Sequence, residues 1–240
     1  MQADTRLPRY QRLRDELASN IAARRWQPGD AIPTEQELAQ SFDLAVGTVR
    51  KAIDLLVAEG LLERYQGRGT FVRRASFDGS LFRFFRFQSK SGERRIPTSQ
   101  ILKRSVVEAP AAVAAALRIA PGANVIQMAR LRLIEDAPVL TEDIWLPLDR
   151  FAAFADLPLD SIGDLLYPVY EAKCNQVVAS ATETLTVEAA SVKHAKLLGI
   201  EKGTPIVVIE RLAYGYDRHP LEWRRSRGPA SQFLYQSEIR

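Results

Sequence analysis

Two arginines stand two residues apart, Arg130 and Arg132, and a glutamate, Glu142, follows across a stretch that reads as a tight turn. On an extended strand, residues i and i+2 share a face, so the two guanidiniums repel each other unless an anion or an acid lies beside them. Such a pair can grip a phosphate or carboxylate bidentately, while a neighbouring carboxylate accepts from hydroxyl or amine donors. A purely structural Arg–Glu network across a sheet uses the same residues, and the spacing leaves both readings open. A second group lies earlier. Gly67-Arg68-Gly69 sets a cation at a turn whose glycines supply positive φ and let the backbone approach a partner closely. Just before it, Gly47, Thr48, Arg50 and Lys51 occupy the polar side of an apolar, helix-period stretch.

The elements that would position this second group are legible from periodicity. Leu7, Tyr10, Leu13, Leu17 and Ile21 recur at three- and four-residue intervals, predicting an amphipathic helix over 8–25 that Pro28-Gly29 ends. Thr34, with Glu37 three residues later, reads as a capping box opening a short helix over 35–41, with Leu38 and Phe42 turned inward. Val46, Val49, Ile53, Leu56 and Val57 mark a third helix, closed by Glu59-Gly60 with Gly60 as a left-handed cap. Strands over 61–65 and 70–72 then form a wing around Gln66-Gly67-Arg68-Gly69. Helix, helix, helix and wing in this order place the third helix in a DNA major groove. Thr48 and Gly47 then face base edges or backbone, Arg50 reaches a phosphate or a guanine, and Arg68 reaches backbone or minor groove. Solvated surface charge on a small helical core is the plainer alternative.

Residues 10–72 resemble the winged-helix domain of the GntR family of bacterial transcriptional regulators. The resemblance rests on Trp26-Gln27-Pro28-Gly29, Leu38-Ala39, Thr48-Val49-Arg50-Lys51-Ala52, Glu59-Gly60-Leu61 and Gly67-Arg68-Gly69-Thr70-Phe71-Val72. It implies DNA contacts from Thr34, Gln36, Gly47, Thr48, Arg50, Lys51, Gly67, Arg68 and Gly69. The chain departs from the family pattern at Gln36 and Val46, where arginines commonly stand, and at Ala45, which cannot cap the third helix as serine would, a difference of about 1 kcal/mol. More of the contact then falls to Thr48, Arg50 and the wing, and the common family operator is not assumed.

Beyond a polar break at 73–79 the pattern changes to repeated strands, over 81–87, 100–108, 124–135, 139–146, 177–186, 205–216, 221–226 and 232–237. Helical segments are predicted over 110–117, 161–166 and 187–198, with turns at 136–138 and 217–220. Such an arrangement is an α+β domain around an antiparallel sheet. The expected organisation is a DNA-binding domain over 1–74, a linker over 75–80 and a second domain over 81–240. This second part resembles the UTRA ligand-sensing domain of the HutC subgroup, through Ala129-Arg130-Leu131-Arg132-Leu133, Asp136-Ala137-Pro138, Glu142-Asp143-Ile144-Trp145-Leu146-Pro147 and Pro220-Leu221-Glu222-Trp223. The resemblance implies a chorismate-lyase-like fold, a metabolite cleft and a homodimer. It also implies effector contacts from Arg130, Arg132 and Glu142, joined by Glu222, Tyr235 and Phe87. The Leu81–Phe87 stretch of alternating phenylalanine and arginine reads as core or dimer surface, with base stacking as the alternative.

Composition excludes other classes. In 240 residues, 46% are apolar, enough for real cores, and no run approaches the roughly 18 apolar residues of a membrane helix. A lone cysteine, Cys174, fits a reducing compartment, so cytoplasmic is the expectation. Residues 1–74 carry 12 Lys/Arg against 10 Asp/Glu, leaving only +2, so placement rather than net charge argues for DNA. His194, His219 and Cys174 make no standard metal spacing, and no catalytic pair or cofactor loop stands out. The expectation is a non-enzymatic regulator that binds double-stranded operator DNA and a small anionic metabolite, a sugar phosphate or organic acid, without cofactor or metal. An enzyme merely targeted to DNA, with Glu142 and Glu222 as paired carboxylates, and a constitutive DNA binder with a structural second domain are the rivals.

Overall fold

The structure, a computed structural model, describes residues 7–74 and 96–234. Leu81–Phe87, the expected linker and Tyr235 lie outside the described residues. Among those described, 7–74 with 215–218 form one compact unit and 96–214 with 219–234 form the other.

In the first unit, α1 (Arg9–Ala22) buries Leu13, Leu17 and Ile21. The second helix, α2 (Glu35–Phe42), starts at a complete capping box: the Thr34 hydroxyl accepts from the Glu37 backbone N–H, and the Glu37 carboxylate accepts from the Thr34 N–H at 2.7 Å. The third, α3 (Val46–Ala58), buries Val49, Ala52, Ile53 and Leu56. It ends in a Schellman turn, with Gly60 at φ 73°, its N–H on Val57 and the Leu61 N–H on Leu56. The wing pairs β1 (Leu62–Tyr65) antiparallel to β2 (Gly69–Val72), and Gly67 and Gly69 both adopt positive φ.

Two inward positions are corrected. Phe42 is the last residue before Asp43 turns left-handed, and at that end of α2 it is exposed. Val46, the first residue of α3, is also exposed because the buried stripe begins only at Val49.

Among the described residues, the second unit holds a six-stranded antiparallel sheet in the order β3-β4-β5-β8-β7-β6. Its strands are β3 (Thr98–Glu108), β4 (Asn124–Ile134), β5 (Ala137–Pro147), β6 (Ser180–Ala189), β7 (Pro205–Tyr214) and β8 (Pro220–Pro229). The β4–β5 turn is Glu135-Asp136, both at positive φ, so Ala137 and Pro138 already belong to β5. One face packs on α5 (Leu148–Ala155) and α6 (Leu166–Cys174), where Phe151, Phe154 and Tyr170 bury against Ile126, Met128, Ile144 and Leu146. On the other face α4 (Ala111–Leu117) covers Val125 and the stacked pair Trp145–Trp223, whose centroids are 5.0 Å apart.

Three expected elements change. The predicted helix over 187–198 starts late: Val187, Glu188 and Ala189 still pair with β7, and α7 (Val192–Leu198) begins only where Ser191 caps it. In place of a helix over 161–166 there is a 3-10 turn at Leu159–Ser161 followed by α6. Pro168 masks α6 in the sequence, yet it sits in the first turn, where no intrahelical donor is needed. Gln232 belongs to a 3-10 turn, Ala230–Gln232, rather than to a strand.

Candidate functional site

The hairpin of β4 and β5 sets Arg130 directly opposite Glu142, and β8 brings Ser226 to the other side of Glu142. Period-2 alternation then gathers Arg130, Arg132, Glu142, Glu222, Arg224 and Ser226 on one sheet face, all buried. Arg211 of β7 lies opposite Arg224 and is buried as well. Among the described residues, four buried guanidiniums thus meet two buried carboxylates on this face.

Both carboxylates are already occupied. Glu142 accepts from Arg130 Nε at 2.5 Å, Ser226 Oγ at 3.0 Å and Arg224 Nη1 at 3.5 Å. Glu222 accepts from Arg224 Nη2 at 2.6 Å, Tyr170 Oη at 2.7 Å and Tyr167 Oη at 3.3 Å. Burial alone would raise the Glu142 pKa, but Arg130, Arg224 and Arg132 overcome it and hold the group below the ordinary carboxylate range. Burial beside Glu222 pushes the Tyr170 and Tyr167 hydroxyls up, so both stay protonated donors. Arg211 is served from the sheet edge, donating to Glu183 at 2.7 Å.

Arg132 is the exception. Its Nη1 donates to the backbone carbonyl of Asp164 at 2.5 Å, its buried Nε has no acceptor, and no carboxylate lies within ion-pair distance among the described residues. Burial, with the like charges of Arg130 and Arg224, lowers its pKa to about 10 despite Glu142. The Asp164 carbonyl also receives Arg130 Nη1 at 3.4 Å, while its carboxylate accepts from the Ser99 N–H at 2.6 Å. A buried cation left incompletely satisfied is costly.

Arg130, Arg132, Glu142 and Glu222 are therefore brought into one cluster, whereas Phe87 and Tyr235 lie outside the described residues. Sequence reading missed Arg211, Arg224, Tyr167, Tyr170 and Asp164. The Glu222–Arg224–Ser226 alternation carried a signal for Arg224; the others arrive from distant elements that only the packed sheet assembles.

In the first unit, Gly47 is exposed and Thr48 half-buried at the start of α3, with the exposed Arg50 half a turn beyond. Lys51 instead sits over the Tyr10 ring at 4.0 Å, toward α1. Gln36 is exposed on α2, and Thr34 uses its hydroxyl in the cap. At the wing, Arg68 lies over Tyr65 at 5.7 Å between Gly67 and Gly69. Among the described residues no group of three His, Cys, Asp or Glu could hold a metal, and no helix is long and apolar enough to cross a membrane.

Residues 9–72 match the family model of bacterial regulatory proteins, gntR family, and residues 92–233 match that of the UTRA domain. The HTH-type transcriptional repressor NagR of Bacillus subtilis is 28% identical, over 95% of this chain and 94% of its own. The mannosyl-D-glycerate transport/metabolism system repressor MngR of Escherichia coli is 29% identical, over 91% and 90%. Among solved structures, PhnF from Mycobacterium smegmatis shares the fold with a TM-score of 0.56 at 24% identity, covering 95% of this chain and 98% of that one.

Proposed function

The chain belongs to the gntR family of bacterial regulatory proteins, with a UTRA domain as its second unit, and from that premise we propose a dimeric repressor released from a palindromic operator by a small anionic metabolite. The family is one of non-catalytic DNA-binding regulators, so the question is what the second unit senses. Arg132 carries the reading: among the described residues its guanidinium donates to a single carbonyl, its buried Nε has no acceptor, and the attraction of Glu142 does not outweigh its burial and the like charges of Arg130 and Arg224. A phosphate or carboxylate there would offset its burial. Glu142 and Glu222 hold Arg130 and Arg224 in place, and their remaining acceptor capacity is open to hydroxyl donors of the ligand. NagR and MngR are both named repressors, and MngR is named for a mannosyl-D-glycerate system, glycerate being a carboxylate.

On DNA, two copies would each lay the start of α3 in the major groove of one half-site and set Arg68 against the flanking backbone or minor groove. Effector binding would favour a dimer geometry that no longer matches the half-site spacing. A coupling of about 1–3 kcal/mol shifts operator affinity about 5- to 150-fold.

A melt-shift panel of sugar phosphates, sugar acids and their neutral sugars tests the reading on wild type and Arg132→Gln. Stabilisation by an anionic compound, lost in the variant together with operator release, supports it. Equal stabilisation by the neutral sugars, or an undiminished response of the variant, overturns it.

A further inference from the structure

At the opening of α2, the half-buried Glu35 reaches across to α3 and β1. Its Oε2 accepts from both Nε and Nη2 of Arg50, at 2.9 and 2.8 Å, and its Oε1 accepts from Arg64 Nη2 at 3.3 Å. Arg64 closes the chain back onto α3 by pairing with Asp54. We propose that Glu35 is a specificity-determining positioning residue, which fixes the Arg50 guanidinium for base recognition and withholds it from DNA phosphates.

Edge geometry is the reason. A guanidinium offers planar pairs of N–H groups. Glu35 takes the Nε/Nη2 side of Arg50, whereas Nη1 carries no hydrogen bond among the described residues. The side chain is 60% exposed, and the pair with Glu35 leaves the Nη1/Nη2 end as the edge still open to an acceptor. That end suits O6 and N7 of a guanine, the commonest specific arginine contact. The platform is rigid, because Glu35 stands in the first turn of a helix locked by the Thr34–Glu37 box, where the helix dipole also favours its charge. Stability does not explain the pair, since exposed ion pairs contribute little. Left alone, Arg50 would follow any phosphate within reach; held by a carboxylate, its charge is neutralised and only its shape remains to be read.

The inference rests on Arg50 as a base reader, and the experiment separates the two. A duplex selected from a random library by the wild-type dimer, and a random-sequence duplex of equal length, are titrated with wild type, Glu35→Gln, Asp54→Asn and Arg50→Ala. Glu35→Gln should tighten the random duplex and weaken the selected one, cutting the specificity ratio about ten-fold, within the range of one bidentate contact. Asp54→Asn removes the same unit of negative charge nearby but leaves the Glu35–Arg50 pair, so both duplexes should move together. If Glu35→Gln gives the same ratio as Asp54→Asn while Arg50→Ala lowers it, Arg50 reads a base and the positioning role fails. If Arg50→Ala keeps the wild-type ratio, the base-reading premise fails and the inference goes with it. Thermal melts of all four should coincide within a few degrees.

Discussion

Arg132 and Glu142 are neighbours on one sheet face with opposite energetic roles. Glu142 balances Arg130, Arg132 and Arg224 in the interior. Replacing it with Gln leaves buried like charges uncompensated and is expected to cost about 3–5 kcal/mol in chemical denaturation. Its depressed pKa fixes the pH window. Stability from this ionisation is fully present above the unfolded value of about 4.3 and is lost as pH falls through the lower folded value. The advantage of wild type over Glu142→Gln should therefore hold from pH 7 to about 4.3 and shrink below it. Arg132 has its pKa lowered by burial, so its charge opposes folding at neutral pH. Arg132→Gln is accordingly expected to melt no lower than wild type in the absence of effector, and a clear loss would make Arg132 a structural group.

At the scale of elements, two adjacent helices differ in how they begin. Thr34 caps α2 with its side chain, whereas Ala45 precedes α3 in an extended conformation with no side-chain cap. The backbone at Ala45 is already that of an N-cap, and the Thr48 N–H lies at the third helical position. Ala45→Ser should add about 1 kcal/mol to the stability of the first unit, and Thr34→Ala should remove about as much. Denaturant midpoints at unchanged slope are the readout, and an unchanged Thr34→Ala midpoint would remove the cap from the account. Both caps were legible because capping is local: the chemistry lies within four residues. Helix α6 was not, because Pro168 marks a break wherever it stands except in a first turn, and the turn that receives it is set by packing of Phe151 and Tyr170.

For the whole molecule, the proposed mechanism requires two reading helices at a spacing set by dimerisation. Native mass spectrometry of freshly purified protein should show a two-chain species retaining an anionic small molecule. A monomer at working concentration would remove the two-half-site mechanism. A ligand-free dimer would direct the search to the melt-shift panel.

The sequence alone determined the helix–helix–helix–wing order, the antiparallel α+β character of the second unit, and the Arg130–Glu142 hairpin pair. Each rests on a period, a cap or a turn that acts over a few residues. It also carried Arg132 to the right face, since alternation along a strand is local. Only the tertiary structure decided that Glu142 and Glu222 each accept from three side chains while, among the described residues, the Arg132 Nε has no acceptor. Their partners come from β8, α6 and the segment at Asp164, far away in the chain. It likewise decided that Arg50 is held by Glu35, a contact between residues 15 positions apart that exists only once α2 is packed against α3. Charge satisfaction is a property of a neighbourhood, and the neighbourhood is made by packing.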